Sequence, residues 1–274
     1  MKKKLIAILI CIIVFIILSF NVYAKNGSLT DFITYNGITG KLWIPDKIDS
    51  STGFIWCMPG LGGYSNGVLS VYDYVKDGLE KPRHVVFFVE YTNGSGSEVK
   101  ANIEYIPDII DNIKKDYNLE NMNDEIYYYG FSKGSYYFGD GISNLGIWDE
   151  AILNDGGRAS TIFIGKLKRV VVIQGAENNA SEYDKVFLNT DVEYYMENFH
   201  GQLSNPHPKV NAWGATNSKY VYMSNTYYDK SLIDPKYGLN WFGADNTVET
   251  NLRNLDFSKI EKIQKFINSR RMIF

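Results

Sequence analysis

Ile126-Tyr127-Tyr128-Tyr129-Gly130-Phe131-Ser132-Lys133-Gly134-Ser135-Tyr136-Tyr137-Phe138 is the stretch on which the reading of this chain turns. Its first residues form a short apolar and aromatic run of strand type, and its last residues read as a helix. Between them Gly130-Phe131-Ser132-Lys133-Gly134 fits Gly-x-Ser-x-Gly. A sharp strand–Ser–helix turn needs glycine on both sides, because side chains there would collide with the neighbouring backbone. Such a turn lifts the serine hydroxyl to the end of the strand and aims the free N–H groups of the helix start at developing negative charge. Ser132 is therefore the candidate nucleophile. The competing reading is a glycine-rich turn in which Ser132 only caps the helix.

Working outward, the chain alternates strands and helices. Leu29 to Ile33 and Gly40 to Ile44 are strand-like runs around Tyr35-Asn36-Gly37, a hairpin signal. Phe54 to Met58, Val85 to Tyr91, Glu125 to Tyr129, Ala151 to Leu153, Arg169 to Ile173 and Val192 to Met196 read as further strands. Ile103 to Tyr117 has isoleucines at helical spacing; Pro107 falls inside that span, which lets the regular helix begin there, and Phe257 to Ile267 is a final amphipathic helix. Continuous apolar strands interleaved with helices predict a mostly parallel sheet covered on both faces, an α/β architecture. Residues 201–250 break the pattern: polar, aromatic and weakly periodic, they read as a long insertion or lid. One domain is expected over residues 25–274.

Pro59-Gly60-Leu61-Gly62-Gly63 follows a buried strand well upstream of Ser132. Acyl transfer needs two donors aimed at a tetrahedral oxyanion, and backbone amides serve; the candidates are those of Leu61 and Lys133. A phosphate-binding loop is the competing reading, but the full glycine spacing of dinucleotide or P-loop motifs is missing. The hairpin, the strand running into Pro59-Gly60-Leu61-Gly62-Gly63, the Ser132 turn and the strand–helix alternation together resemble the α/β-hydrolase fold. Within it the chain is most similar to secreted serine esterases and depolymerase-like carboxylesterases. The resemblance runs from about residue 29 to the last helix and is poor over 201–250. Oxyanion loops of that family often begin His-Gly; here Pro59 stands in place of the His, a departure that leaves a backbone donor intact.

In that fold the triad runs Ser, acid, His, so the base must follow Ser132. His200, after the Val192–Met196 run, and His207, between two prolines, are the two histidines that do; His200 is preferred. His84 precedes Ser132 and opens a buried strand, which gives it a strand-edge role. Glu177, just past the Arg169–Ile173 strand, is the preferred acid, with Asp184 and Asp155 as alternatives. The implied activity is cleavage of a small-molecule or polymer-attached ester through an acyl-enzyme. Tyr64, Tyr91, Tyr136, Tyr137, Trp213, Tyr227, Tyr228 and Trp241 are candidates to line its cleft, with core packing as their alternative fate. A peptidase of the same fold and a catalytically silent binding protein are the other classes in view.

Composition narrows the field. The 274 residues are 45% hydrophobic, 15% aromatic and 22% charged, a globular profile. A net charge of −3 offers no general attraction for nucleic acid. Three histidines and two cysteines, without zinc-ligand spacing, point to no metal, and no cofactor is expected. Met1-Lys2-Lys3-Lys4, the apolar run Leu5 to Phe20 and Val22-Tyr23-Ala24 read as a signal peptide cut after Ala24. An uncleaved anchor is the alternative. The mature chain would be secreted or held in the cell envelope without stable membrane insertion. It would carry 25 basic and 31 acidic residues, a charge of −6, and one cysteine, Cys57.

Overall fold

The computed structural model describes residues 27–64, 71–78, 80–154, 159–174, 180–198 and 238–244. Asn36 and Gly37 take φ of 46° and 78°, the two positive values that a type I′ hairpin requires. The chain therefore folds back as the sequence predicts. The first strand-like run is divided: β1 (Gly27–Leu29) and β2 (Ile33–Tyr35) both pair antiparallel with β3 (Ile38–Pro45), on either side of a break at Thr30–Phe32.

From β3 onward the sheet turns parallel. β4 (Phe54–Met58) and β5 (Val85–Glu90) are parallel, and β5 also carries β3 antiparallel on its far side. β6 (Ile126–Phe131), β7 (Glu150–Asn154), β8 (Arg169–Gln174) and β9 (Glu193–Asn198) extend the parallel part. The order is β1-β3-β5-β4-β6-β7-β8-β9, with β2 on β3, nine strands among the described residues. Crossover connections deliver β4 and β6 to the middle, so the C-terminal ends of the central strands share one edge.

β4 is buried at every position because it is covered on both sides. Phe54, Trp56 and Met58 belong to one apolar cluster, while Ile55 and Cys57 belong to the other. Among the described residues five helices supply the cover: α1 (Val71–Lys76), α2 (Ser97–Ala101), α3 (Ile106–Asp116), α4 (Lys133–Gly139) and α5 (Ala180–Phe187). In α3 the predicted isoleucine stripe is real: Ile106, Ile109, Ile110 and Ile113 are buried. Pro107 sits in the first turn, where its missing N–H costs nothing. Ile103–Tyr105 forms a separate 3-10 turn ahead of it. α1, α2 and α5 are five to eight residues long and left too short a periodic pattern to be read from sequence.

Of residues 201–250, read as an insertion or lid, the structure describes 238–244. Leu239, Trp241 and Phe242 are buried with Ile55, Val86, Tyr127 and Val171 in the second apolar cluster. That part of the region is core, on the face that also takes Val71 and Val75 of α1. The chain divides into two compact units, Met1–Phe242 and Gly243–Phe274, and of the second only Gly243 and Ala244 are described. The predicted helix 257–267 and the signal segment lie outside the described residues. Among the described residues no helix is long and apolar enough to cross a membrane.

Candidate active site

Ser132 joins β6 to α4 at φ 49° and ψ −107°, a backbone conformation that L-residues rarely hold and that costs about 1–3 kcal/mol. The surrounding contacts dictate it. β6 remains in the ladder through Phe131, opposite Asn154, and helix begins at Lys133, so one residue must make the whole change of direction. The Ser132 N–H donates to the Asn154 carbonyl at 2.7 Å, and the Tyr136 N–H donates to the Ser132 carbonyl at 3.0 Å. A Cβ on Gly130 would lie 2.7 Å from the Ser135 nitrogen; one on Gly134 would lie 2.7 Å from the Met58 carbonyl oxygen. Both glycines are therefore required by close approach, as the sequence predicts.

The Pro59–Gly63 loop lies against this turn. A Cβ on Gly60 would stand 2.9 Å from the Phe131 ring and 3.4 Å from Ser132 Cβ, which measures how closely the two segments meet. The Gly134 N–H donates to the Pro59 carbonyl at 3.0 Å. Leu61, 65% exposed, is thus two residues from a direct tie to the helix that follows Ser132. Ser132 itself is 9% exposed. The Lys133 ammonium lies over the Tyr136 and Tyr137 rings, at 4.5 and 4.8 Å from their centroids. Ser132, Lys133 and Leu61 are brought together at the C-terminal edge of the sheet.

Asn154, Glu90 and Tyr91 hold the turn and the loop beside it through contacts that no local motif announces. Asn154, 1% exposed at the end of β7, gives its carbonyl to the Ser132 N–H and its Nδ2 to the Tyr129 hydroxyl at 3.3 Å. Its Oδ1 is buried with no partner among the described residues, a rare condition for a polar atom. Glu90 and Tyr91, at the end of β5, reach back to the Pro59–Tyr64 loop: the Tyr64 N–H meets the Glu90 carboxylate at 3.2 Å, and the Tyr91 hydroxyl donates to the Pro59 carbonyl at 3.1 Å. The Asn93-Gly94 turn that follows an apolar run was the available clue to this second loop.

Other candidates fall elsewhere. His84 is fully buried at the start of β5, the opposite edge of the sheet from Ser132. The Gly53 N–H donates to its Nδ1 at 2.8 Å, which favours the tautomer whose Nε2–H faces the Phe242 carbonyl at 2.8 Å over one in which Nε2 accepts from the Arg83 Nε at 3.1 Å. Burial pulls its pKa down to about 4, and the Arg83 guanidinium pushes the same way. Trp241 belongs to that edge too, its ring 4.0 Å from the Arg169 guanidinium, so it does not line a cleft at Ser132. Tyr64, Tyr91 and Tyr137 are buried, packing rather than exposed lining. Tyr64 donates or accepts at 3.1 Å with the buried Cys57 thiol, whose pKa burial pushes up. Asp184, on α5, accepts the Tyr194 hydroxyl at 2.9 Å. His200, His207, Glu177, Asp155, Trp213, Tyr227 and Tyr228 lie outside the described residues. Among the described residues no group of histidine, cysteine, aspartate and glutamate could hold a metal ion.

No protein-family model matches the sequence, and no curated protein matches it. Solved structures do. An S-formylglutathione hydrolase from Staphylococcus aureus is 8% identical with a TM-score of 0.43, covering 64% of this chain and 89% of its own. An esterase of Pyrococcus furiosus is 12% identical with a TM-score of 0.40, covering 64% and 83%. A dienelactone hydrolase-like promiscuous phosphotriesterase from metagenomic libraries is 12% identical with a TM-score of 0.43, covering 76% and 92%. The architecture itself decides the fold. With an antiparallel start, a parallel remainder reached by crossovers, helices on both faces and a strand–Ser132–helix turn at the end of a central strand, this chain has the α/β-hydrolase fold.

Proposed function

We propose that the protein is an exported serine hydrolase that cleaves carboxylic esters through an acyl-enzyme on Ser132. The observation that carries the reading is the backbone of Ser132 itself: a non-glycine residue held at φ 49° and ψ −107° between two glycines that cannot bear a Cβ. Strain of this kind is kept where the position of a side chain matters. The solved structures of like fold include an esterase and an S-formylglutathione hydrolase, which agrees with an ester-type substrate.

The mechanism follows from proton bookkeeping. His200 takes the Ser132 hydroxyl proton as the oxygen attacks the ester carbonyl, with His207 the second choice of base. Glu177 orients the imidazole and stabilises its cation without taking the proton. Asp184 and Asp155 are the other choices; the Tyr194 hydroxyl on Asp184 speaks for a tying role there. Support for these assignments comes from where the strands stop: β7 ends at Asn154, β8 at Gln174 and β9 at Asn198, all on the edge that carries Ser132. Asp155, Glu177 and His200 follow those three ends by one to three residues. The Leu61 and Lys133 amides receive the oxyanion, each worth about 3 kcal/mol. The imidazolium returns its proton to the leaving alkoxide, and water activated by the same base releases the acid. No metal or cofactor enters the scheme. Export rests on the basic and apolar start of the chain.

The test compares residues 25–274 with the Ser132→Ala variant, each treated with a fluorophosphonate and a short-chain p-nitrophenyl ester. Labelling and turnover in the first, with a loss of at least about a thousandfold in the second, is the expected result. Folded protein that neither labels nor turns over would remove the serine-hydrolase reading. His200→Ala and His207→Ala then identify the base.

A further inference from the structure

The Pro59 carbonyl oxygen is where the two halves of the site meet. The Gly134 N–H reaches it at 3.0 Å from the nucleophile's side, and the Tyr91 hydroxyl reaches it at 3.1 Å from the end of β5. Pro59 precedes Leu61 by two residues, and Gly134 follows Lys133 directly. One carbonyl oxygen thereby links the two amides assigned to the oxyanion. The rest of the loop is held from the same stretch as Tyr91. The Gly62 N–H donates to the Gly94 carbonyl at 2.6 Å, and the Tyr64 N–H donates to the Glu90 carboxylate at 3.2 Å.

Tyr91 is itself fixed. It is 3% exposed, and its ring meets Tyr137 edge-on at 6.4 Å. The Tyr137 hydroxyl in turn donates to the Ser95 carbonyl at 2.9 Å, so α4, Tyr91 and the loop after β5 brace one another. A Cβ on Gly96 would come within 2.7 Å of the Tyr91 ring, which leaves the ring little room to turn. Burial raises the Tyr91 pKa, which keeps its hydroxyl a donor.

We propose that Tyr91 is the positioning residue of the oxyanion hole: by holding the Pro59 carbonyl against the Gly134 N–H, it sets the Leu61 amide at the spacing from the Lys133 amide that lets both reach one oxygen. This rests on the reading of Ser132 and those two amides given above. Donors help only when aimed where charge develops, and a small misplacement is felt in the transition state more than in substrate binding.

Tyr91→Phe keeps the ring and removes the hydroxyl. With p-nitrophenyl ester, kcat is expected to fall about tenfold while KM stays within about twofold. Rates are taken per site titrated by fluorophosphonate and well below the melting midpoint, so a partly unfolded preparation cannot imitate the effect. The affinity for a trifluoromethyl ketone, which forms a tetrahedral adduct on serine, should fall by the same factor as kcat. A structural tyrosine would instead lower the melting midpoint and leave kcat per titrated site unchanged; that result, or a rise in KM alone, overturns the proposal. If the unaltered protein takes no label, it is the Ser132 reading that fails, and the role of Tyr91 falls with it.

Discussion

At the C-terminal edge of the sheet Ser132 is held at φ 49° and ψ −107°, and the neighbouring Asn154 Oδ1 is buried without a partner among the described residues. At the N-terminal edge the buried His84 has both ring nitrogens engaged, by the Gly53 N–H and the Phe242 carbonyl. There Arg83 also reaches the Phe242 carbonyl at 2.6 Å, Glu80 takes the Leu239 N–H at 2.7 Å, and Arg169 gives one N–H to the Trp241 carbonyl at 3.1 Å. The same sheet thus keeps strain at one end and uses charged and polar side chains at the other to hold a distant piece of chain. Substitutions at the N-terminal edge should therefore lower stability and leave turnover per folded molecule nearly untouched.

The strongest way to break that division is Phe242→Ala. Phe242 is fully buried and stacks on Tyr127 at 5.1 Å, so its removal should cost about 3–5 kcal/mol in urea unfolding. Turnover per folded molecule should hold. A loss of kcat as large as the loss of stability would show that the two edges are coupled.

His84 sharpens the comparison through pH. Its folded pKa is lowered to about 4 against 6.5 for the free side chain, so between those values the unfolded chain binds more protons. Stability is therefore full above pH 6.5 and falls as pH drops toward 4, by about 3 kcal/mol in all. Urea unfolding at several pH values should show this slope in the natural protein and most of it missing in His84→Gln. The same slope in both would clear His84.

The smallest change in stability is expected at the other edge. Ser132→Gly should abolish labelling and yet raise stability by about 1–2 kcal/mol, because glycine adopts positive φ without strain. A variant no more stable than the natural protein would mean that the turn carries no strain of consequence.

The legible parts of the sequence are those whose cause is local. Asn36-Gly37 fixes a hairpin by its two φ values, and Gly130-Phe131-Ser132-Lys133-Gly134 fixes a turn because its glycines have no room for a Cβ. The isoleucines of α3 repeat at the spacing of the face they bury. Illegible were the contacts set by partners far along the chain. Trp241 reads as a cleft aromatic until Arg169 is found 4.0 Å from its ring. Tyr91 reads as another aromatic until its hydroxyl is seen on Pro59, 32 residues away in sequence. The turn at Ser132 is readable from its own residues; the loop that braces it is visible only once β4 and β5 lie side by side.

The bond from Arg83 to the Phe242 carbonyl spans 159 residues, so it can form only late in synthesis. One apolar face of the sheet cannot close until residue 242 has been made, however early its strands pair. During synthesis, Val86, Tyr127 and Val171 wait for the side chains that will cover them. A chain interrupted before that point would present an open, apolar sheet face to chaperones and to other copies of itself.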